Sequence, residues 1–321
     1  MGPATTLGLD RLIATRHDVR AARAGEPGGD GAWHGPFRGR RHGQGMEHDD
    51  LRPYADGDDV RHVDWRTSAR RNELHTRLYR EEKEHVVTVA LDLRDAMFTG
   101  STTLRGVVAG LVAARLVWRA ANGGCRTSLA VLADADARAG TRDGVRVELS
   151  RAASGERGAL AACRLIAATF DAGRRRTRGE GARVASRDDA AANTLEPLFE
   201  RLLGGGRRLG ASIVVSGMDT PGAGFDTALA RLATARPLAV VLVEDTLDRR
   251  APPAARYRYA GAGGPRRITL GRRERYRLDA ALAARRDGLE RRFADARVPL
   301  IEARAGDAHV IGALRDAALL P

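Results

Sequence analysis

From residue 86 onward, continuous apolar runs alternate with stretches of helical period. VVTVALD (86–92), SLAVLAD (128–134), SIVVSGMD (212–219) and LAVVLVED (238–245) have few outward polar positions. Runs of that kind suit strands buried on both faces of a parallel sheet. VRVELS (145–150) alternates instead, with Arg146 and Glu148 outward, and VPLIEA (298–303) reads as a last strand. Between them lie helical stretches. In 102–121 the apolar residues Leu104, Val107, Val108, Leu111, Val112 and Leu116 recur at helical spacing, and Asn122-Gly123-Gly124 supplies a stop. Further helices are expected at 157–170, 194–203, about 225–234, 273–296 and 307–319. The helix at 273–296 carries Leu278, Leu282, Leu289 and Phe293 on one side. Strands alternating with helices of this length predict an α/β fold with a doubly wound, mostly parallel sheet. Such sheets place their sites at the carboxyl ends of the strands, which would gather Asp92, Asp219, Glu244 and Asp245 on one edge.

The first 85 residues have another texture. Residues 9–24 predict a short amphipathic helix with Leu9, Leu12, Ile13 and Arg16 near one face, and the glycine-rich 25–45 reads as a loop. Residues 46–85 mix charges with aromatic residues. The expected division is therefore an N-terminal charge-rich extension, 1–85, followed by an α/β domain, 86–321. Residues 172–192, with 6 Arg, 3 acids and almost no apolar side chain, are expected to form a mobile insertion in that domain.

Composition narrows the function. The chain has 321 residues and a net charge of +13, but Lys83 is its only lysine. The first 85 residues balance 15 basic against 15 acidic side chains, whereas 249–292 holds 14 Arg and 4 acids. A basic face near the C-terminus thus allows a nucleic-acid reading. It is disfavoured by 4% aromatic content and by the lack of a helix-turn-helix or RNA-recognition signature. No apolar run approaches the ~20 residues a bilayer needs, so a cytoplasmic location without a membrane span is expected. Cys125 and Cys163 sit in apolar stretches and read as inert core thiols. No GxSxG, GxxxxGK[ST], HExxH or strand-linked GxGxxG occurs, so neither an enzyme nor a cofactor is expected.

Within 43–85, Gly45 with Glu47, Arg52-Pro53-Tyr54, Gly57-Asp58-Asp59, Arg61, Asp64-Trp65, Ser68-Ala69-Arg70, Leu74 and Glu81-Glu82 follow one another in an ordered pattern. This pattern resembles the signature of the Domain of Unknown Function 58 family. The resemblance implies a von Willebrand factor A-like domain beginning at 86–92. It also implies a non-catalytic adaptor that binds MoxR-type AAA+ ATPases in chaperone-like assembly. The residues offered for partner binding are Arg52, Tyr54, Asp58, Arg61, Asp64, Trp65 and Arg70. Trp, Tyr and Arg carry most binding energy at interfaces.

Domains of that type often hold a divalent cation through Asp-x-Ser-x-Ser and a later acid. Here the loop reads Asp92-Leu93-Arg94-Asp95-Ala96, and the later position is Gly217, with Asp219 two residues on. Asp92, Arg94, Asp95 and Asp219 are thus read as a degenerate ion site, with Arg94 paired to Asp92 in place of the metal. A divalent-metal-dependent ligand-binding domain, with an ion rebuilt on Asp92, Asp95 and Asp219, is the alternative.

Overall fold

The computed structural model describes residues 5–24, 48–55, 58–79, 85–135, 144–177, 193–205, 210–261, 264–303 and 320. The chain divides into two units, one formed by 1–33 with 85–321, the other by 34–84.

The larger unit is built on the predicted sheet. Its strands are β3 (Val86–Asp92), β4 (Arg126–Asp134), β5 (Val145–Leu149), β6 (Ala153–Ser154), β7 (Ala211–Ser216), β8 (Leu238–Val243) and β11 (Leu300–Ala303). They lie in the order β11-β8-β7-β3-β4-β5, with β6 also on β4. β3, β4, β7, β8 and β11 pair in parallel, while β5 and β6 run antiparallel to β4. Counting β3 as the first strand, this is the common doubly wound order 3-2-1-4-5-6, whose direction of winding reverses between β3 and β7. β7 and β8 are buried at every position, as their uninterrupted apolar sequences require.

Helices cover the sheet. α3 (Arg105–Asn122) and α4 (Gly155–Thr177) carry buried Val107, Leu116, Trp118, Ile166 and Phe170. α5 (Glu196–Gly204), α6 (Phe225–Ala235) and the C-terminal third of α8 (Arg272–Asp295) supply Phe199, Phe225 and Phe293 to a core shared with Ala90, Val214 and Val240. Phe199 and Phe225 meet edge to face at 4.8 Å.

Four features differ from the sequence reading. The first helix, α1 (Leu9–Ala24), belongs to the α/β body and not to a separate extension. Leu7, Leu12 and Val19 are buried, and Trp118 Nε1 of α3 donates to the Leu12 carbonyl at 3.3 Å. Arg16 lies 5.7 Å from the Trp118 ring and pairs with Glu156 of α4 at 2.6 Å. Second, α4 runs on to Thr177, because Arg174 is buried and Arg176 reaches Asp134 at 3.5 Å. The expected insertion therefore loses its first six residues to a helix, and 178–192 lies outside the described residues. Third, a hairpin that the sequence did not suggest, β9 (Ala255–Gly261) with β10 (Gly264–Leu270), precedes α8. Fourth, the apolar stripe expected along α8 buries only Leu289 and Phe293, while Leu278 is exposed. The helix expected at 307–319 lies outside the described residues.

The smaller unit pairs β1 (His48–Pro53) antiparallel with β2 (His75–Tyr79). A 3-10 turn, Val60–His62, and the short α2 (Trp65–Arg71) connect them. Asp59 caps the turn by accepting from Arg61 N at 2.9 Å, and Asp64 caps α2 by accepting from Thr67 N at 2.9 Å. Asn72, left-handed at φ 55°, ends α2.

Candidate functional site

Two places merit attention, one in each unit. In the α/β unit the switch point lies between the carboxyl ends of β3 and β7, where ligands bind in doubly wound sheets. Asp92 ends β3 there, fully buried. Its carboxylate accepts from the backbone N of Arg94 at 3.1 Å and from Arg94 Nε at 2.9 Å on one oxygen. Its other oxygen accepts from Arg94 Nη2 at 2.8 Å and from the Ser216 hydroxyl at 2.7 Å. The same guanidinium, in a residue 1% exposed, donates to the carbonyls of Asn193 at 2.8 Å and Asp219 at 2.7 Å. Burial opposes the Arg94 charge, but the Asp92 carboxylate holds its pKa above the ordinary arginine value.

A second arginine, Arg105 at the start of α3, stands beside it. It donates to the Ala96 carbonyl at 2.6 Å and to Thr99 Oγ1 at 3.2 Å, and pairs with Asp219 at 3.0 Å and Asp248 at 3.5 Å. Burial raises the pKa of Asp219, against the pull of Arg105 and Arg285. Asp95, by contrast, turns away from Asp92. Its backbone N donates to Asp134 Oδ2 at 2.6 Å, and Arg176 and Asn193 close round Asp134. Burial, with Asp95 alongside, pushes the Asp134 carboxyl up to about 7. Further along the edge, Arg249 and Arg286 bind both Glu244 and Glu302. Asp245 accepts from Ser101 at 2.9 Å and caps the short α7 (Thr246–Arg249).

The edge thus assembles Asp92, Arg94 and Asp219 around one guanidinium, with Asp95 joined to it through Asp134 and Asn193, and Glu244 held by Arg249 and Arg286. It does not suit a divalent cation. Both Asp92 oxygens are occupied by donors, and a guanidinium stands where a hard cation would collect oxygen ligands. Among the described residues, no three His, Cys, Asp or Glu side chains converge for a metal. Arg105 was invisible to sequence reasoning, because an arginine in the first turn of a helix carries no pattern of its own.

In the smaller unit, the seven residues suggested for partner binding separate into two groups. Arg52, Tyr54, Asp58 and Asp64 hold the unit together. Arg52 Nη2 pairs with Asp58 at 2.6 Å, and Tyr54 OH donates to the Asp58 carbonyl at 3.2 Å. The Ala55 N–H, and then Arg52, hold the Asp58 carboxyl below its ordinary pKa. Asp64 N donates to the His75 carbonyl at 2.9 Å, besides its capping role. Arg61, Trp65 and Arg70 face solvent. Trp65 is 63% exposed, and Val60 at 56% and Leu74 at 46% are exposed apolar residues of the same unit outside the seven.

The Arg-rich stretch 249–292 comprises β9, β10 and α8. Arg249, Arg285, Arg286 and Arg292 are committed to Glu244, Glu302, Asp219 and Asp226, whereas Arg256, Arg267, Arg272, Arg273 and Arg277 are exposed.

A family model described as protein of unknown function DUF58 matches residues 50–290. The chain belongs to the DUF58 family. The DUF58 match starts in β1 and ends in α8, so it takes in residues 50–84 of the smaller unit and most of the sheet, and overlaps the resemblance carried by residues 43–85 from residue 50 on. No curated protein matches the chain. A crystal structure of an aerotolerance-related membrane protein from Bacteroides fragilis, with multiple mutations to serines, is similar at 12% identity and a TM-score of 0.40. The alignment covers 73% of this DUF58 chain and 98% of that one. Among the described residues, no helix is long and apolar enough to cross a membrane.

Proposed function

We propose that this chain is a non-catalytic protein-binding adaptor with a von Willebrand factor A-like domain, acting in the cytoplasm beside a MoxR-type AAA+ ATPase. The observation that carries the docking reading is Trp65. It is held at the first position of a capped helix yet stays 63% exposed, in a unit that also leaves Val60, Leu74, Arg61 and Arg70 exposed. A large indole left in water on an ordered helix suits an anchor that a partner buries. The hydrogen bonds of Asp64 fix the start of the helix that carries it, so its backbone is ordered before binding. The strand order, with antiparallel β5 and β6 at one edge of a mostly parallel sheet, supports the domain type.

Purified MoxR-type ATPase immobilised on a sensor tests this reading. The intact chain binds, and Trp65→Ala weakens the affinity roughly 30-fold, the effect of losing a ~2 kcal/mol anchor. Equal binding by the variant, or no binding by the intact chain, overturns it. The exposed arginines of β9, β10 and α8 offer the nucleic-acid alternative. That alternative requires an affinity falling steeply with salt.

A further inference from the structure

We propose that Arg94 and Arg105 together take the place of a divalent cation at the switch point, so that the chain's own guanidinium groups hold the loops there and no metal is needed. A bound cation at such an edge does two things: it neutralises buried carboxylate, and it draws oxygen atoms from separate loops to one centre. Arg94 does both. It neutralises Asp92 through a bidentate contact at 2.9 and 2.8 Å. It also gathers the Asn193 carbonyl from before α5 and the Asp219 carbonyl from after β7. Arg105 repeats the pattern one step outward, taking Ala96 and Thr99 from the loop after β3, Asp219 from the loop after β7, and Asp248 from the helix after β8.

Three further observations agree. Both guanidinium groups hold position 219, Arg94 by its carbonyl and Arg105 by its carboxylate. The residues on either side, Met218 at φ 54° and Thr220 at φ 46°, are left-handed without being glycine. Such backbone persists only where its surroundings over-determine it. Finally, a Cβ at Gly217 would lie 2.7 Å from Arg105 Nη1 and 2.7 Å from Asp219 Oδ2. Any side chain at 217 would therefore make the Arg105 guanidinium and the Asp219 carboxylate shift from their present contact. A glycine at 217 and two buried arginines form one consistent solution. Arginine stays protonated throughout the working pH range, so this cation cannot be exchanged, chelated or titrated away. Arg94 and Arg105 do this whichever partner the smaller unit engages.

The test uses the full chain. Its thermal midpoint is measured with EDTA and with millimolar magnesium or manganese, and manganese is titrated calorimetrically. The wild type shows no midpoint change beyond about 1 °C and no stoichiometric manganese heat, while Arg94→Ala lowers the midpoint by roughly 5 °C or more. Arg94→Lys, which keeps the charge but not the fork, falls between them. Amide exchange in residues 217–220 speeds up in both variants. Stoichiometric manganese binding by the wild type, lost in Asp92→Asn, overturns the proposal. So does an Arg94→Ala protein with an unchanged midpoint and unchanged exchange at 217–220. Should Arg94→Ala fail to fold, the wild-type titrations and Arg94→Lys still decide.

Discussion

Removing Asp92 and Arg94 singly and together measures how tightly the switch point is coupled. Asp92→Ala leaves a guanidinium in a residue 1% exposed with two carbonyl partners and no carboxylate. Arg94→Ala leaves a fully buried carboxylate with one hydroxyl and one backbone N–H, and strips the Asn193 and Asp219 carbonyls of their donors. Breaking one side of a buried ion pair costs about 3–5 kcal/mol, chiefly because the survivor is an uncompensated charge. The double variant has no such survivor. Its cost comes from lost packing and two carbonyls near the surface, about the size of one single variant. Additive behaviour would give about 6–10 kcal/mol, so the expected coupling is about 3 kcal/mol or more. Urea unfolding followed by circular dichroism supplies the four stabilities, with the slope of the transition compared across the set to show that one process is being measured. Additivity within about 0.5 kcal/mol would refute the pairing as the organiser of this edge. A loss below about 1 kcal/mol in Asp92→Ala would do the same.

Other outcomes follow from neighbouring geometry. Gly217→Ala should destabilise by about 1 kcal/mol, because its methyl makes the side-chain ends of Arg105 and Asp219 shift and loosens their contact; an unfolding midpoint matching the wild type would contradict this. Asp134 has a folded pKa of about 7 against an ordinary 3.8, so its protonated form is favoured in the fold. The stability it contributes is complete below about pH 4 and is lost as the pH rises through 7. Raising the pH from 5 to 8 should therefore weaken the wild type by an amount on the order of 1–3 kcal/mol, and Asp134→Asn should remove most of that slope in urea titrations at the two pH values.

Some of this was legible in the sequence, and the rest was not, for identifiable reasons. The sheet was readable because β3, β4, β7 and β8 are apolar at nearly every position, which only a doubly covered strand tolerates. Asp92 and Arg94 could be paired from the sequence because the resemblance put an arginine, in place of a hydroxyl ligand, two residues after the last acid of the strand. Arg105 could not, since it reaches Asp219 across 114 residues of chain and nothing local marks it. The β9–β10 hairpin was hidden by its arginines, which blurred the alternation of Tyr257 and Ile268 that the register now pairs. α1 was recognisable as a helix, but its period could not say which body its apolar face would join. The signature segment mixed two roles that composition cannot separate: Arg52 and Asp58 hold the unit together, whereas Trp65 projects from it.

The basic composition also acquires a physical account. A net charge of +13 suggests a polyanionic partner when charge alone is considered. At the carboxyl edge, however, Arg94, Arg105, Arg249, Arg285 and Arg286 are spent on carboxylates and carbonyls of the fold itself. Guanidinium suits this task because its planar fork reaches two or three oxygens at once and is weakly hydrated, so burying it costs less than burying an ammonium. The Asp92–Arg94 pair lies out of water, where salt screens little. Its contribution to stability should therefore persist at high ionic strength, whereas exposed pairs such as Arg146 with Glu148 at 4.0 Å should contribute almost nothing there. Arginines left exposed include Arg256, Arg267, Arg272, Arg273 and Arg277, and Arg61, Arg66 and Arg70 in the smaller unit.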